Sequence, residues 1–347
     1  MTYLMNAWYA AAWDSEVVEG TVFSRRILGR PLVIFRKEDG QLGVLDGVCP
    51  HRFAPLARGR VIGDAIQCGY HGLTFDGTGT CIKSPFGSPP KTMSVRAYPV
   101  EERYSMIWVW PGDPELADPA LVPDFSFQDP DRFYVGQGYL NVKAGYELEI
   151  ENILDLSHIE FLHADTLGSG KVSTGKYEAK QAGEVVWSNR DVIGEVMTDQ
   201  LSINMGFEPG TAVDRWIHVK WTAPANMALY SGAVRTGRPK EEGNEFVGAH
   251  IFTPETEHSS HYWYSSNIPK DLGPEGREIA NRKVNYLKLP FETEDKLMLE
   301  DQQANIGNRT LGALKLGWLP GDAAGALARK ILKQKIEAER ATLSVPA

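Results

Sequence analysis

The sequence predicts an α+β protein with an all-β N-terminal domain followed by a mixed C-terminal domain. Three observations support this prediction. Short strand-like runs broken by turns occupy the first third of the 347 residues. An alternating stretch rich in Trp, Val, Tyr and Thr covers about 185–265 and predicts strands. Apolar residues at helical spacing lie on both sides of that stretch.

The N-terminal domain is expected to cover residues 1–115. Its strand-like runs are bounded by turn residues and lie at 31–35, 42–45, 75–82 and 106–110. Pro111 ends the last of these runs, because proline cannot donate to a strand ladder. The following stretch is rich in Pro and Asp and has little periodicity, so we predict a linker over 116–135.

The mixed domain is expected over 136–347, with helices at about 146–162, 276–303 and 323–340. The first helix carries a regular apolar set, Leu148, Ile153, Leu154, Leu156, Ile159 and Phe161. The last is amphipathic through Leu327, Ile331, Leu332 and Ile336 and is predicted to pack on the domain or to contact another subunit.

Composition limits the classes of partner and compartment. The net charge of −9 argues against nucleic acid, since phosphate binding needs clustered Lys and Arg. The three cysteines provide no disulfide framework, and Cys81 is expected to pack as a small hydrophobe. The N-terminus lacks the basic region of a signal peptide, and no apolar run reaches the roughly 20 residues of a membrane span. A reducing, cytoplasmic location is therefore expected.

Four residues of the N-terminal domain form two short motifs. Cys49 and His51 lie in Cys-Pro-His-Arg, Cys68 and His71 lie in Cys-Gly-Tyr-His-Gly, and sixteen residues lie between His51 and Cys68. Each motif pairs one thiolate with one imidazole. A Rieske [2Fe–2S] centre requires this set, because two Cys bind one of its irons and two His bind the other. The motifs therefore predict a protein that transfers single electrons.

A structural zinc site is the alternative for these four residues, since zinc also accepts two Cys and two His. Zinc modules usually group Cys with Cys and His with His, whereas each motif here mixes the two. The pattern favours the iron–sulfur cluster.

A second candidate metal site lies in residues 151–163, where polar residues interrupt an apolar stretch. On a helix, Asn152, Asp155 and His158 would share one face, while His163 would lie roughly 140° away from His158. The helix should therefore end or distort near Leu162 if both His are to reach one ion. Two His and a carboxylate form the set that binds Fe(II) and leaves open positions for O2 and substrate.

The carboxylate of that set should come from the predicted helix at 276–303. Glu294 and Asp295 lie on either side of the apolar stripe of this helix, each about 50° from its centre. Helical periodicity does not choose between them.

The sequence resembles the oxygenase component of Rieske non-haem iron oxygenases, in the branch of the vanillate and dicamba O-demethylases. The similarity spans nearly the whole chain and is carried by residues 6–9, 49–56, 68–73, 107–113, 151–158 and 253–256. It implies an all-β Rieske domain followed by a catalytic α+β domain of helix-grip type with a curved antiparallel sheet.

The resemblance also implies roles for the candidate residues. His158, His163 and Asp295 would bind the mononuclear iron, and Asn152 would lie beside it. Asp155 would bridge the two metal centres, accepting a hydrogen bond from a cluster histidine and contacting an iron-binding one. These centres would lie on neighbouring subunits of a head-to-tail homotrimer, with His71 of one chain facing Asp155 of the next.

The family's chemistry implies the partners and cosubstrates. A separate flavin- and ferredoxin-type reductase would take electrons from NADH and pass them singly to the cluster. O2 would be the cosubstrate, and hydroxylation of a methoxy carbon would release formaldehyde and leave a phenol. The protein would hold the substrate for this reaction.

The substrate-binding residues are less well defined by the sequence. His250 falls where the resemblance to the dicamba enzyme implies a carboxylate contact, and Tyr230 is a second predicted substrate contact. An asparagine of that enzyme in the same region is not matched here, where Leu229 and Tyr230 occupy the neighbourhood. A strand histidine satisfied by the backbone is the alternative for His250. Surface or strand positions are predicted for His218, His258 and His261. Solvated roles are predicted for Arg215 and Arg235, with pairing to a carboxylate substrate as the alternative.

Three functions remain open from the sequence. The first is O-demethylation of a methoxylated aromatic compound such as vanillate. The second keeps the fold and metals but changes the reaction to hydroxylation of an aryl methyl, N-dealkylation or ring dihydroxylation. The third is electron transfer of the ferredoxin type without oxygenase chemistry, which the size of the second domain opposes.

Overall fold

The chain folds into two compact units, which the computed structural model describes over residues 3–90 and 92–343. The N-terminal unit comprises Met1–Asp124 and the short segment Thr253–Thr256, and the C-terminal unit comprises Phe125–Phe252 and Glu257–Ala347. Residues 1–2, 91 and 344–347, which fall within the predicted domains, lie outside the described residues.

The N-terminal unit is built from three small antiparallel sheets. Its strands in chain order are β1 (Tyr9–Trp13), β2 (Phe23–Ile27), β3 (Arg30–Arg36), β4 (Leu42–Asp46), β5 (Arg60–Ile62), β6 (Ala65–Gln67), β7 (Thr74–Asp76), β8 (Cys81–Lys83), β9 (Val100–Arg103) and β10 (Met106–Val109). The sheet orders are β2-β3-β4, β5-β6-β7-β8 and β1-β10-β9. The four predicted strand-like runs all fall in these sheets.

Strand β3 separates two apolar cores of this unit. Because successive side chains of a strand point to opposite faces, Leu32 and Ile34 enter one core while Val33 and Phe35 enter the other. Burial on both faces explains the continuous apolar run in the sequence. The second core also contains all three cysteines, Cys49, Cys68 and Cys81, and all three are free of disulfides.

The C-terminal unit contains one seven-stranded antiparallel sheet. Its strands are β11 (Phe133–Val142), β12 (Lys176–Ala182), β13 (Val185–Val196), β14 (Ala212–Thr222), β15 (Asn226–Arg235), β16 (Asn244–Thr256) and β17 (Ser259–Pro269), in the order β11-β17-β16-β15-β14-β13-β12. Strands β12 to β17 are neighbours in chain order across the sheet, and β11 forms the edge strand beside β17. The predicted α+β class, with an all-β domain first, is confirmed.

The helices of this unit are α1 (Tyr146–Leu154), α2 (Asp199–Met205), α3 (Gly276–Pro290), α4 (Lys296–Ile306) and α5 (Ala323–Leu343). Helix α3 packs on β11 and β17, and the amphipathic α5 packs on α1, β12 and β13. Among residues 3–90 and 92–343, no helix combines the length and the hydropathy that a membrane span requires.

The predicted helix at 146–162 is shorter than expected. Helix α1 ends at Leu154, because Asp155 adopts φ −118° and ψ 86° and its carboxylate accepts a hydrogen bond from the Ser157 amide (3.0 Å). A separate 3₁₀ turn, Leu156–Glu160, follows. The expectation that Asn152, Asp155 and His158 share one helical face was therefore wrong, since the helix breaks between them.

The predicted helix at 276–303 is interrupted at its centre. The segment Phe291–Asp295 is a π-helix, in which the Lys296 amide donates to the Phe291 carbonyl five residues earlier. Pro290 immediately precedes it and supplies no amide for a regular helical bond. The wider turn changes the direction of every side chain after Pro290 relative to an ideal helix.

Candidate metal centres and substrate cavity

The two cysteine–histidine motifs form loops with the same backbone pattern. The amides of Cys49 and Cys68 donate to the carbonyls five residues further on (2.9 and 2.7 Å). The carbonyl of each cysteine accepts from the amide four residues further on (3.0 Å in both loops). That fourth residue has a positive φ, 56° at Phe53 and 71° at Gly72. Each loop therefore turns back on its own cysteine.

The four candidate cluster ligands divide into a buried pair and an accessible pair. Cys49 and Cys68 are each 2% exposed, whereas His51 is exposed and His71 is half-buried. The two imidazole rings lie 4.7 Å apart between centroids. Burial raises the pKa of the Cys49 thiol to about 11, and the nearby Cys68 contributes. A bound cation is what would hold such a thiol as the thiolate that ligates metal.

Within the described ranges, one set of three or more Cys, His, Asp or Glu has ligand atoms that all lie within 4.8 Å of one another, and it consists of His158, His163 and Asp295.

His158, His163 and Asp295 come together from separate parts of the chain. His158 lies in the 3₁₀ turn after α1, His163 lies in the turns that follow, and Asp295 ends the π-helix. The Asp295 carboxylate lies 3.0 Å from Nε2 of His163 and 3.5 Å from Nε2 of His158. Two imidazoles and one carboxylate on one side of a point match the donor set of non-haem Fe(II).

Each of these three side chains is oriented by a further hydrogen bond. Nδ1 of His158 lies 2.7 Å from the carbonyl of Asp155, and Nδ1 of His163 lies 2.5 Å from the Glu294 carboxylate. The Asn152 amide donates to Asp295 (2.9 Å). Both imidazoles therefore direct Nε2 toward the shared point. Such outer contacts fix the ring orientation of metal-binding histidines.

The same contacts separate the two carboxylates that the sequence left equivalent. Asp295 faces the Nε2 atoms of both histidines, whereas Glu294 contacts the other ring nitrogen of His163, Nδ1. The Glu294 carboxylate also accepts a hydrogen bond from the Thr166 hydroxyl (3.1 Å). Sequence reasoning missed this orienting position of Glu294.

Burial and charge act differently on the two histidines. Burial lowers the pKa of His158, which favours the neutral imidazole that binds metal. Burial also disfavours protonated His163, but the neighbouring Asp295 and Glu294 carboxylates outweigh it and raise its pKa. Two carboxylates around the buried His163 and the half-buried His158 create a site that a divalent cation would neutralise.

Asp155 lies beside this set. Its carboxylate accepts from the Ser157 amide, lies 3.5 Å from Nη2 of Arg190, and remains 21% exposed. The predicted contact with an iron-binding histidine is made by the backbone carbonyl of Asp155 rather than by its side chain.

A cavity of about 150 Å³ extends from the His158, His163 and Asp295 set within the C-terminal unit. Most of its wall is apolar, formed by residues such as Ile153, Leu156, Ile159, Leu167, Leu229 and Phe246. An apolar cavity of roughly 150 Å³ accommodates a molecule such as benzene. The cavity therefore suits one aromatic ring.

His250 lines this cavity and is buried, with its Nδ1 2.7 Å from the Tyr262 hydroxyl. Its partner is thus a side chain, not the backbone. Tyr230 does not line the cavity: it packs against Trp187 with 5.7 Å between ring centroids. Because strand residues alternate, Leu229 and Ser231 line the cavity instead. The substrate contact of Tyr230 therefore stays a prediction.

Arg215 was expected to be solvated, and this expectation was wrong. The side chain is buried in the cavity wall, where it donates to Glu195 (3.1 Å) and to the Leu167 carbonyl (3.2 Å). Strand β14 alternation directs it inward, and the buried Glu195 provides the opposite charge.

Acid should destabilise the fold through His250. Burial lowers the pKa of His250 to about 4, below the 6.5 of an exposed imidazole. Between these values the unfolded chain binds a proton that the folded chain does not, so stability falls as pH decreases from 6.5 to about 4. The contribution reaches roughly 3 kcal/mol. Urea unfolding across this range should show a shallower pH dependence for His250→Asn; equal slopes would contradict the assignment.

Comparison with known proteins gives the family. Residues 7–99 match the Rieske [2Fe-2S] domain, and residues 142–338 match the C-terminal domain of vanillate O-demethylase oxygenase. The chain belongs to the Rieske non-haem iron oxygenases. Its cofactors are accordingly the [2Fe–2S] cluster and a mononuclear iron, and both sites described above contain donor sets that fit them.

Relatives of known activity cover most of the chain. The dicamba O-demethylase oxygenase component of Stenotrophomonas maltophilia is 36% identical, over 86% of this chain and 88% of its own. The chloroacetanilide N-alkylformylase oxygenase component of Rhizorhabdus wittichii is 34% identical, over 97% of each. A crystal structure of dicamba monooxygenase with non-haem iron and dicamba superimposes with a TM-score of 0.79 at 31% identity, over 99% of this chain and all of that one.

Lys283 and Tyr286 also line the cavity, and sequence reasoning missed both. A signal was present for Lys283, which precedes Leu287 by one helical turn and so lies on the apolar stripe of α3. A lysine on a core-facing stripe is unusual, because lysine side chains are seldom buried without a partner.

Proposed function

We propose that this oxygenase O-demethylates a methoxylated aromatic compound such as vanillate and releases formaldehyde. The observation that carries the proposal is that His158, His163 and Asp295 lie together in the wall of a cavity sized for a single ring. The names of the vanillate and dicamba O-demethylases that the chain resembles support the choice of reaction.

In this proposal Cys49, His51, Cys68 and His71 bind the cluster, while His158, His163 and Asp295 bind the iron. When bound, the metals supply electron storage and O2 activation beside the substrate. Asn152 and Glu294 hold the carboxylate and His163 in place through the contacts described above.

The apolar cavity wall would exclude water and hold the methoxy carbon toward the ligand end. Insertion of one oxygen atom into a methoxy C–H bond gives a hemiacetal, which breaks its C–O bond to yield the phenol and formaldehyde. The second oxygen atom leaves as water, using two electrons and two protons. The electrons come from NADH through a separate reductase.

The same proposal includes a homotrimer in which Asp155 meets the partner's His71. The exposed part of the Asp155 carboxylate and the accessible position of His71 support such a contact. A carboxylate that accepts a hydrogen bond from a cluster histidine would provide a short electron path to His158 through the Asp155 backbone.

N-Dealkylation is the second candidate, because the N-alkylformylase relative is nearly as similar as the O-demethylase. Both reactions hydroxylate a carbon next to a heteroatom. Turnover of a substrate panel distinguishes them.

The direct test supplies NADH, O2 and a surrogate reductase with methoxybenzoates, N-alkylanilides and aryl methyl compounds. Formaldehyde and the matching phenol, formed in equal amounts from a methoxybenzoate, are expected. Products in which the methoxy group is retained and the ring or another carbon is hydroxylated would contradict O-demethylation. Omitting the reductase controls for product that forms without electron delivery.

A further inference from the structure

Lys283 lies in the cavity wall at a distance from the metal-binding end. Lys283, Leu287, Phe291 and Asp295 follow one another at four-residue intervals, and all four line the cavity. The regular helix from Lys283 to Pro290 alone spans about 10 Å at 1.5 Å rise per residue, and the π-helix to Asp295 adds to this length. Lys283 and Asp295 are therefore separated along the helix by more than the width of one aromatic ring.

The ammonium of Lys283 has polar and aromatic neighbours but no anionic one. Nζ donates to the Asn204 carbonyl and lies 3.6 Å from the centroid of the Phe246 ring. No carboxylate within residues 3–90 and 92–343 comes within 4.0 Å of Nζ. Arg215, the other cation that lines the cavity, is neutralised by Glu195.

Lys283 is half-buried, and a cation that is partly withdrawn from water without a counter-ion is energetically unfavourable, because it loses hydration that no opposite charge replaces. In agreement, burial lowers the pKa of Lys283 to about 8, with the nearby Arg282 contributing. The ammonium form still predominates at neutral pH. A ligand carrying a negative charge would restore the missing interaction when it enters the cavity.

We propose that Lys283 is a specificity-determining residue that binds a carboxylate on the aromatic substrate, at a ring position remote from the reacting methoxy group. This inference rests on the proposed function for the identity of the reacting group. The separation of Lys283 from Asp295 along the helix favours meta or para substitution, because an ortho carboxylate would remain near the metal-binding residues.

The test compares Lys283→Met with the wild type by calorimetric binding of 4-hydroxy-3-methoxybenzoate and of its neutral carboxamide, without O2 or reductase. The Kd of the acid should rise by at least about tenfold, whereas the Kd of the carboxamide should change little. Lys283→Arg should keep most of the affinity for the acid.

Lys288→Met is the matched control, since Lys288 lies on the same helix but is 55% exposed and faces Glu292. It should bind both compounds as the wild type does. Equal losses for acid and carboxamide in Lys283→Met, or no loss for either, would overturn the inference.

Binding and turnover separate the two proposals. Charge-selective binding that depends on Lys283 without formaldehyde release would refute O-demethylation and leave the anion site standing. If formaldehyde is released but the acid and the carboxamide have equal KM values, in the wild type and in Lys283→Met alike, O-demethylation would stand and the anion site at Lys283 would be refuted. Lys283→Met should raise KM for the acid more than it lowers kcat, because the ammonium lies far from the reacting carbon.

Discussion

His163→Ala should yield a protein that keeps its cluster spectrum and loses its mononuclear iron. His163 contributes one of three donors, and its Nε2 lies 3.0 Å from the Asp295 carboxylate. Losing an orienting contact alone typically costs 10–100-fold in metal affinity or activity, so removal of the donor should lower turnover by more than about 100-fold. Iron analysis, together with the visible spectrum, measures both centres in one sample.

Glu294→Gln is a milder change at the same site, because it alters the orienting contact of His163 and not the metal ligand itself. It retains a side chain that can contact Nδ1 of His163 but removes the charge. Iron affinity should fall by an intermediate factor of roughly 10–100. His258→Ala, at the turn after β16, serves as the control and should keep both metals. Full retention of the mononuclear iron in His163→Ala would show that another residue supplies the imidazole.

Asp155→Asn is expected to keep both metals and to slow electron delivery from the cluster to the iron by about 100-fold or more. The asparagine oxygen can still accept from the Ser157 amide, so the 3₁₀ turn should persist. The backbone carbonyl that orients His158 is unchanged. The loss should therefore come from the missing charge and not from a displaced ligand.

Stopped-flow oxidation of the reduced cluster, in the presence of substrate and O2, measures this transfer in a single turnover. Asp191→Asn is a suitable control, since Asp191 is also paired with a strand residue, His218 (3.0 Å), and lies outside the metal-binding set. Light scattering on the same samples reports assembly. A wild-type single-turnover rate in an assembled Asp155→Asn protein would refute the bridging role.

The cluster motifs were predictable because each is local. The residues that turn each loop, such as Gly72, lie within four positions of the cysteine, so residues close in sequence determine the loop conformation. Strands within about 185–265 were also predictable, since buried and more exposed residues alternate along β13 and over much of β14.

The iron-binding set was only partly predictable, because two departures from regular helix determine it. The break at Asp155 changes the orientation of His158 relative to α1. The π-helix after Pro290 directs Asp295 toward both histidines, while Glu294 contacts Nδ1 of His163. A fixed 100° per residue holds for neither segment. Resemblance supplied the choice of Asp295 that periodicity left open.

The cavity contacts were the least predictable part. Arg215 depends on a buried Glu195 from the neighbouring strand, and Lys283 depends on the carbonyl of Asn204 on another helix. Such pairings join residues far apart in sequence. The partners of Arg215 and Lys283 are therefore known only from the folded structure, in which the sheet and α3 enclose the cavity.

The central claim is that one chain carries two separate iron sites, one held by Cys49, His51, Cys68 and His71 and the other by His158, His163 and Asp295. Iron and acid-labile sulfide content before and after mild chelation test it most directly. Two cluster irons with their two sulfides should remain after chelation, with loss of one further iron per chain and an unchanged visible spectrum. A colourless protein with zinc in place of iron, or loss of all iron together, would contradict the claim.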